Sequence, residues 1–186
     1  MNRFTHSETP LHGLILLQRH PIGDQRGYLE RLFCGDTLAP LLHGQAIAQI
    51  NHTLTAQAGT VRGLHFQSPP HAETKLVTCL RGEVFDVAVD LRQGSPTFLR
   101  WHAERLSAAN HRTLVIPEGF AHGLQTLTAD CELLYLHTAA YCAAAEGALN
   151  AVDPRLGIAW PLPVAERSTR DQTHPWLTDD FLGMAI

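Results

Sequence analysis

Apolar and polar positions alternate in short runs along most of this chain. The clearest run is Glu83 to Asp90, where Phe85, Val87 and Val89 share one face of an extended segment and Asp86 and Ala88 the other. Lys75 to Leu80 is a second run, and Leu80-Arg81-Gly82 between the two reads as a hairpin turn. The same pattern, with its β-branched and aromatic residues, predicts strands over Gly13–Gln18, Ala46–Leu54, Thr60–Phe66, Phe98–Arg105, Arg112–Ile116, Gly123–Thr126 and Cys131–Thr138. Turn-forming stretches at Arg92-Gln-Gly-Ser-Pro, Ser107-Ala-Ala-Asn and Thr128-Ala-Asp separate several of them. Helical signals are confined to Asp36–His43, with Asp36 as the cap, and Pro175–Leu182. Ala139–Leu149 is rich in alanine but has no amphipathic face, and is read as a loop. Short strands at this spacing predict an all-β fold: a sandwich, jelly roll or barrel.

The chain has 186 residues, 45% of them apolar and 17% charged, enough for one core and one domain spanning residues 1–186. Its 14 glycines and 11 prolines are spread throughout, as many turns between short elements require. A formal net charge of −4 without any lysine or arginine run argues against nucleic acid or an anionic membrane as the main partner, and turns attention to a small ligand. Cys34, Cys79, Cys131 and Cys142 show no Cys-x-x-Cys spacing, and Cys79 and Cys131 lie in apolar runs, so all four are read as reduced. The N-terminal residues lack the apolar core of a signal peptide, and no stretch is long and apolar enough to span a membrane. The expected location is the cytoplasm.

Two segments carry the candidate chemistry. Gly59-Thr-Val-Arg-Gly-Leu-His-Phe-Gln places His65 on a predicted strand with Arg62 three residues before it, and Pro117-Glu-Gly-Phe-Ala-His-Gly brings His122 behind a turn. Arg62, His65, Lys75, His122 and Tyr135 all fall on strands or strand ends, and a barrel would aim alternate residues of such strands into one cavity. Several cations facing inward imply an anionic ligand or a water-filled cavity, because burying them unpaired costs too much. A metal is the rival reading, since His71 and His122 could join His65 through space. Against it, His65 has no second histidine two residues on and no glutamate close behind. His6, His12, His43, His102, His111 and His174 read as solvated surface or turn residues. No nucleophile elbow and no glycine-rich phosphate loop is present, which leaves acid and base work by His, Tyr and carboxylate.

Taken together, Asp24-Gln-Arg-Gly-Tyr, Gln49-Ile-Asn-His, Val61-Arg-Gly-Leu-His-Phe-Gln, Arg81-Gly-Glu-Val-Phe-Asp-Val-Ala-Val-Asp, Ile116-Pro-Glu-Gly-Phe-Ala-His-Gly, Gly157-Ile-Ala-Trp-Pro and Ser168-Thr-Arg-Asp resemble the dTDP-4-dehydrorhamnose 3,5-epimerase family. The resemblance implies a cupin-type jelly roll that forms a homodimer, uses no cofactor and no metal, and acts on a nucleoside-diphosphate sugar. It makes His65 the general base, Tyr135 the general acid and Asp171 the carboxylate that orients the histidine. Gln49, Asn51, Arg62, Lys75, His122, Glu146 and Arg170 match residues that hold the sugar nucleotide, Tyr141 the aromatic that stacks on the base, and Arg26 an arginine supplied across the dimer. The family run Arg-Gly-Phe-Phe-x-Glu reads Arg26-Gly-Tyr-Leu-Glu-Arg31 here, so Arg31 takes the place of a ligand-contacting glutamate and Glu30 falls one residue early.

The chemistry so implied suits these residue types. A ketone at carbon 4 acidifies the hydrogens on carbons 3 and 5, and a base and an acid on opposite faces can invert either centre through an enolate, with Lys75 stabilising the oxygen that becomes negative. Two other readings stay open: a non-catalytic or metal-binding barrel for a small ligand, and a sugar-nucleotide ketoisomerase.

Overall fold

The computed structural model describes residues 3–186. In chain order its strands are β1 (Phe4–Glu8), β2 (Ile15–Arg19), β3 (Ile22–Asp24), β4 (Gly27–Leu29), β5 (Gln49–Thr55), β6 (Val61–Gln67), β7 (Lys75–Arg81), β8 (Glu83–Asp90), β9 (Trp101–Ser107), β10 (Arg112–Ile116), β11 (Phe120–Thr126), β12 (Cys131–His137) and β13 (Glu146–Ala148). Two one-turn helices, α1 (Gly35–Leu38) and α2 (Thr169–Gln172), complete it, with a 3-10 turn at Ala39–Leu42. One sheet runs β1-β2-β10-β7-β12-β5 and the other β13-β6-β11-β8-β9, while β3 and β4 form a separate hairpin. All pairings within these sheets are antiparallel, the jelly-roll arrangement expected from the sequence.

Strand alternation sorts side chains into three apolar layers. Val77, Cys79, Leu114 and Leu133 of the six-stranded sheet pack against Val84, Ala88, Leu106 and Leu124 of the five-stranded sheet, which closes one end of the sandwich. Val87, Val89 and the flanking Phe85 point the other way, under Leu156, Leu177 and Met184 of the C-terminal segment. The outer face of the six-stranded sheet is covered by Leu38 and Leu42, which pack with Leu17, Leu76 and Leu136. Both faces of β8 are therefore buried, and Asp86 is the residue that this geometry turns inward between the sheets.

Several expectations need correction. Pro175–Leu182 is not helical: the Leu177 N–H that a helix would use internally is taken by Asp153 Oδ2 at 2.7 Å, and the Leu177 side chain is buried. The first helix starts one residue earlier than predicted, with Cys34 rather than Asp36 at the cap, and its second half tightens to 3-10 around Pro40. The predicted Phe98–Arg105 strand is shifted to Trp101–Ser107, because Phe98 N–H closes a turn onto Ser95 O. Strands β1, β3, β4 and β13 were not visible in the pattern. β1 has a single apolar residue and is held by backbone pairing to β2, while β13 adds the end of the alanine-rich stretch to the edge of β6.

Candidate active site

The site begins where β6 and β11 cross-pair. His65 and His122 are direct partners in the register, which then shifts between His122 and Leu124. Two glycines permit that geometry. Gly63 has φ +113°, and a Cβ on it would lie 2.6 Å from the Gly123 Cα, whereas one on Gly123 would lie 2.7 Å from the Arg62 carbonyl oxygen. The strands therefore touch backbone to backbone here, and their histidines turn toward a cavity of about 210 Å³ between the sheets.

His65 lies on the five-stranded sheet and lines this cavity; Tyr135 lines it from the six-stranded sheet. Asp171 comes from α2, whose cap Ser168 accepts a hydrogen bond from the Asp171 N–H at 3.0 Å. The Asp171 carboxylate meets His65 Nε2 at 2.8 Å. Burial alone would raise the Asp171 value, but the hydrogen bond and charge of His65, the Gly63 N–H and the charge of His174 outweigh it and hold the carboxyl at about 2. Asp171 is therefore an acceptor only, the proton between the pair sits on His65 Nε2, and the Nδ1 lone pair is the one left for chemistry. Burial, followed by the negative charge of Asp86, pushes the Tyr135 hydroxyl well above the ordinary phenol range, so it is protonated at neutral pH.

The other cavity histidines are paired with carboxylates too. His122 Nε2 contacts the fully buried Asp86 at 2.8 Å, and His137 Nδ1 contacts Glu73 at 2.9 Å. Glu73 also holds Lys75 Nζ at 3.2 Å. It stays ionised because the hydrogen bond from His137 and the charge of Lys75 outweigh the effect of its burial. The Tyr135 ring stacks on His137 at 6.2 Å and meets His122 edge-on at 6.0 Å, so the tyrosine is fixed between two of these pairs.

Adjoining this cavity is a second one of about 180 Å³ that shares His65, Asn51, Lys75 and His137 with it and extends to Tyr141 and Glu146. Gln49 Oε1 accepts from the Tyr141 N–H at 2.9 Å, and its amide nitrogen donates to Asn51 Oδ1 at 3.2 Å. Tyr141 donates its hydroxyl to Glu146 at 2.8 Å, and Arg170 pairs with the same carboxylate. Arg62 Nε donates to Thr55 Oγ1 at 2.8 Å at the mouth of the first cavity.

Of the residues singled out from the sequence, Arg26 and Arg31 are not brought to these cavities. Arg26 is exposed on the β3–β4 hairpin and paired with Asp24 at 2.6 Å; Arg31 is exposed beyond β4. Glu30 turns inward to Arg19 and His111, each at 2.8 Å, and serves packing. His71 is exposed in a turn and does not join His65. His174 is the main correction, because it is buried beside Asp171 and not solvated, while His102 and His111 are half-buried on Glu104 and Glu30.

Glu73, Asp86, His137 and His174 are site residues that the sequence reading missed or left without a role. Their signals were periodic: Glu73 stands two residues before Lys75 and His137 two after Tyr135, the same-face spacing of a strand, while His174 is three residues after Asp171. Asp86 is the acid in the middle of β8, flanked on both sides by apolar residues. Among the described residues, His65, Asp171 and His174 are also the one trio of His and carboxylate atoms within reach of a shared cation, all within 4.8 Å, and both histidines already contact the Asp171 carboxylate.

A jelly roll whose polar interior is lined by carboxylate-paired histidines is the cupin-type architecture that the sequence resemblance implies, and sequence and structure comparisons name the family. Residues 8–179 match the family model for dTDP-4-dehydrorhamnose 3,5-epimerase. The enzyme of that name from Sinorhizobium fredii is 43% identical over 165 residues, covering 88% of this chain and 85% of that protein. The crystal structure of dTDP-6-deoxy-D-glucose-3,5-epimerase from Legionella pneumophila in complex with dTDP-4-keto-L-rhamnose superimposes with a TM-score of 0.91 at 37% identity, covering 98% of both chains. A 3'-monoepimerase from Streptomyces bikiniensis, in complex with dTDP-quinovose, gives 0.82 at 32% identity over 90% of this chain and 85% of its own. The chain belongs to the dTDP-4-dehydrorhamnose 3,5-epimerase family.

Proposed function

We propose that this chain is a cofactor-independent epimerase of deoxysugar biosynthesis, acting on dTDP-4-dehydro-6-deoxyglucose and inverting carbon 3, carbon 5 or both. The observation that carries the reading is the placement of His65, backed by Asp171, on one wall of a cavity and Tyr135 on the opposite wall. His65 Nδ1 removes the hydrogen next to the ketone, and Asp171 supports the imidazolium that results. Lys75, held by Glu73, faces the enolate oxygen, and the protonated Tyr135 returns a proton from the other side. Arg62 is anchored by Nε, which leaves its terminal nitrogens for the diphosphate. Gln49, Asn51 and His122 hold the sugar, and Tyr141, Glu146 and Arg170 form the nucleotide end.

The homodimer belongs to this proposal, as does a single domain spanning the chain. Ile22, Tyr28 and Leu29 expose their apolar side chains on the β3–β4 hairpin that carries Arg26, which supports a hairpin that reaches a second subunit and brings Arg26 to its site. All four cysteines are free, which supports action in the reducing cytoplasm. Among the described residues no helix is long and apolar enough to cross a membrane.

The test is incubation with dTDP-4-dehydro-6-deoxyglucose in deuterium oxide, followed by NMR at carbons 3 and 5. Deuterium at one or both carbons with an inverted product is expected, and the pattern decides between single and double inversion. A product whose ketone has moved would establish a ketoisomerase, and an unlabelled, unchanged sugar would leave only ligand binding.

A further inference from the structure

His174 is buried, and it is the group nearest to the base assembly that the reaction as drawn leaves without a task. Its Nε2 lies 3.1 Å from Asp171 Oδ1, the same oxygen that His65 Nε2 meets at 2.8 Å. The two Nε2 atoms are 3.2 Å apart, and the rings stand at 90° with centroids 5.2 Å apart. Because ionised Asp171 can only accept, a hydrogen bond from His174 requires a proton on His174 Nε2. A single carboxylate oxygen then receives both imidazole N–H groups.

The backbone around His174 is held from outside the site. Asn150 Nδ2 donates to the His174 carbonyl at 3.3 Å, and the Asn150 N–H donates to Pro175 O at 2.9 Å. Arg167 bridges the Asn150 side-chain oxygen and the Asp171 carbonyl, tying α2 to the same loop. His174, which lines neither of the two cavities, thus presents a fixed ring to Asp171 and His65.

We propose that His174 is a positioning residue for the base: its hydrogen bond to Asp171 Oδ1 and its edge contact with the His65 ring hold that ring in the orientation that offers Nδ1 to the sugar. Without it, the carboxylate can swing toward the vacated space and the imidazole can rotate with it. A displaced base loses rate steeply, since reacting groups must meet within a narrow range of distance and angle. The inference rests on His65 being the base, and the experiment separates the two.

Three variants decide it. His174→Leu fills the space without a donor, whereas His174→Gln restores an N–H near the Nε2 position. His174→Leu is expected to lower kcat for solvent exchange by roughly tenfold to a hundredfold with KM within about twofold, and His174→Gln to recover most of the loss. In a His65→Ala background, where exchange is lost, His174→Leu is expected to leave dTDP affinity by calorimetry unchanged, because the residue acts through His65 and not on the ligand. Wild-type kcat in His174→Leu, or an equal loss in His174→Gln, overturns the positioning role; undiminished exchange in His65→Ala overturns the base assignment instead. If His174→Leu does not fold, the tautomer decides. Long-range 15N–1H spectra of the wild-type imidazoles are expected to show His174 protonated on Nε2, and protonation on Nδ1 alone refutes the hydrogen bond on which the role depends.

Discussion

His65 and Asp171, 106 residues apart along the chain, meet at 2.8 Å, and this contact joins a barrel strand to a helical turn near the C-terminus. The pair should be visible in stability. The folded-state value of Asp171 is depressed from 3.8 to about 2, so its contribution is complete above the unfolded value and is lost as pH falls through the folded one. That contribution is on the order of 2 kcal/mol. Urea denaturation should show Asp171→Asn less stable than wild type by about that amount at pH 6, with the gap closing as the pH approaches 2. A gap independent of pH would mean that the carboxylate does not hold the pair.

His65→Ala should abolish exchange of the sugar's carbon-bound hydrogens with solvent. Binding of dTDP, measured by calorimetry, should stay within roughly tenfold of wild type, because the histidine moves a proton and does not pair with phosphate. Loss of binding with the exchange would make His65 a ligand-holding residue.

Tyr135→Phe separates the two faces of the cavity. With His65 intact, the same hydrogen can leave and return from one side, so deuterium should enter without inversion. Exchange should outlive epimerisation. Full inversion at the wild-type rate would show that another group, or water, supplies the second proton.

Gly63→Ala tests the close crossing of β6 and β11. The added methyl meets the Gly123 backbone at 2.6 Å, at a φ that disfavours any side chain. A loss of about 3 kcal/mol is expected, which lowers Tm by roughly 6 to 12 °C in a domain of this size. An unchanged Tm would show that the strands can part there without cost.

Extensive dialysis against a chelator should leave epimerisation at its starting rate, because deprotonation next to a ketone needs only the His65 base and an enolate stabiliser such as Lys75. Activity that disappears and returns with one metal ion per chain would instead assign the His65, Asp171 and His174 triangle to that ion.

Local sequence was enough for the strands that carry the site. β6, β7, β8 and β12 are legible because they are short runs rich in apolar, β-branched and aromatic residues with turns beside them, and His65, Lys75 and Tyr135 fall on them at positions a closed sandwich turns inward. Family resemblance added Asp171, whose place in a polar C-terminal stretch says nothing of its partner. The failures have one cause as well. Pro175–Leu182 reads as helical and His174 as solvated from their own neighbours, whereas Asp153 from another loop and Asp171 from across a turn decide their environment.

By itself, then, the sequence determined the all-β architecture, the identity of the groups that can give and take protons, and membership of an epimerase family, since each is written in short-range pattern or motif. Tertiary structure decided which carboxylate meets which histidine. His122 is matched to Asp86, His137 to Glu73, and both His65 and His174 to a single oxygen of Asp171. Those pairings depend on strand register and on the seat of α2 beside β6, which are set by packing between segments far apart in the chain, and no local pattern encodes a distance across the barrel.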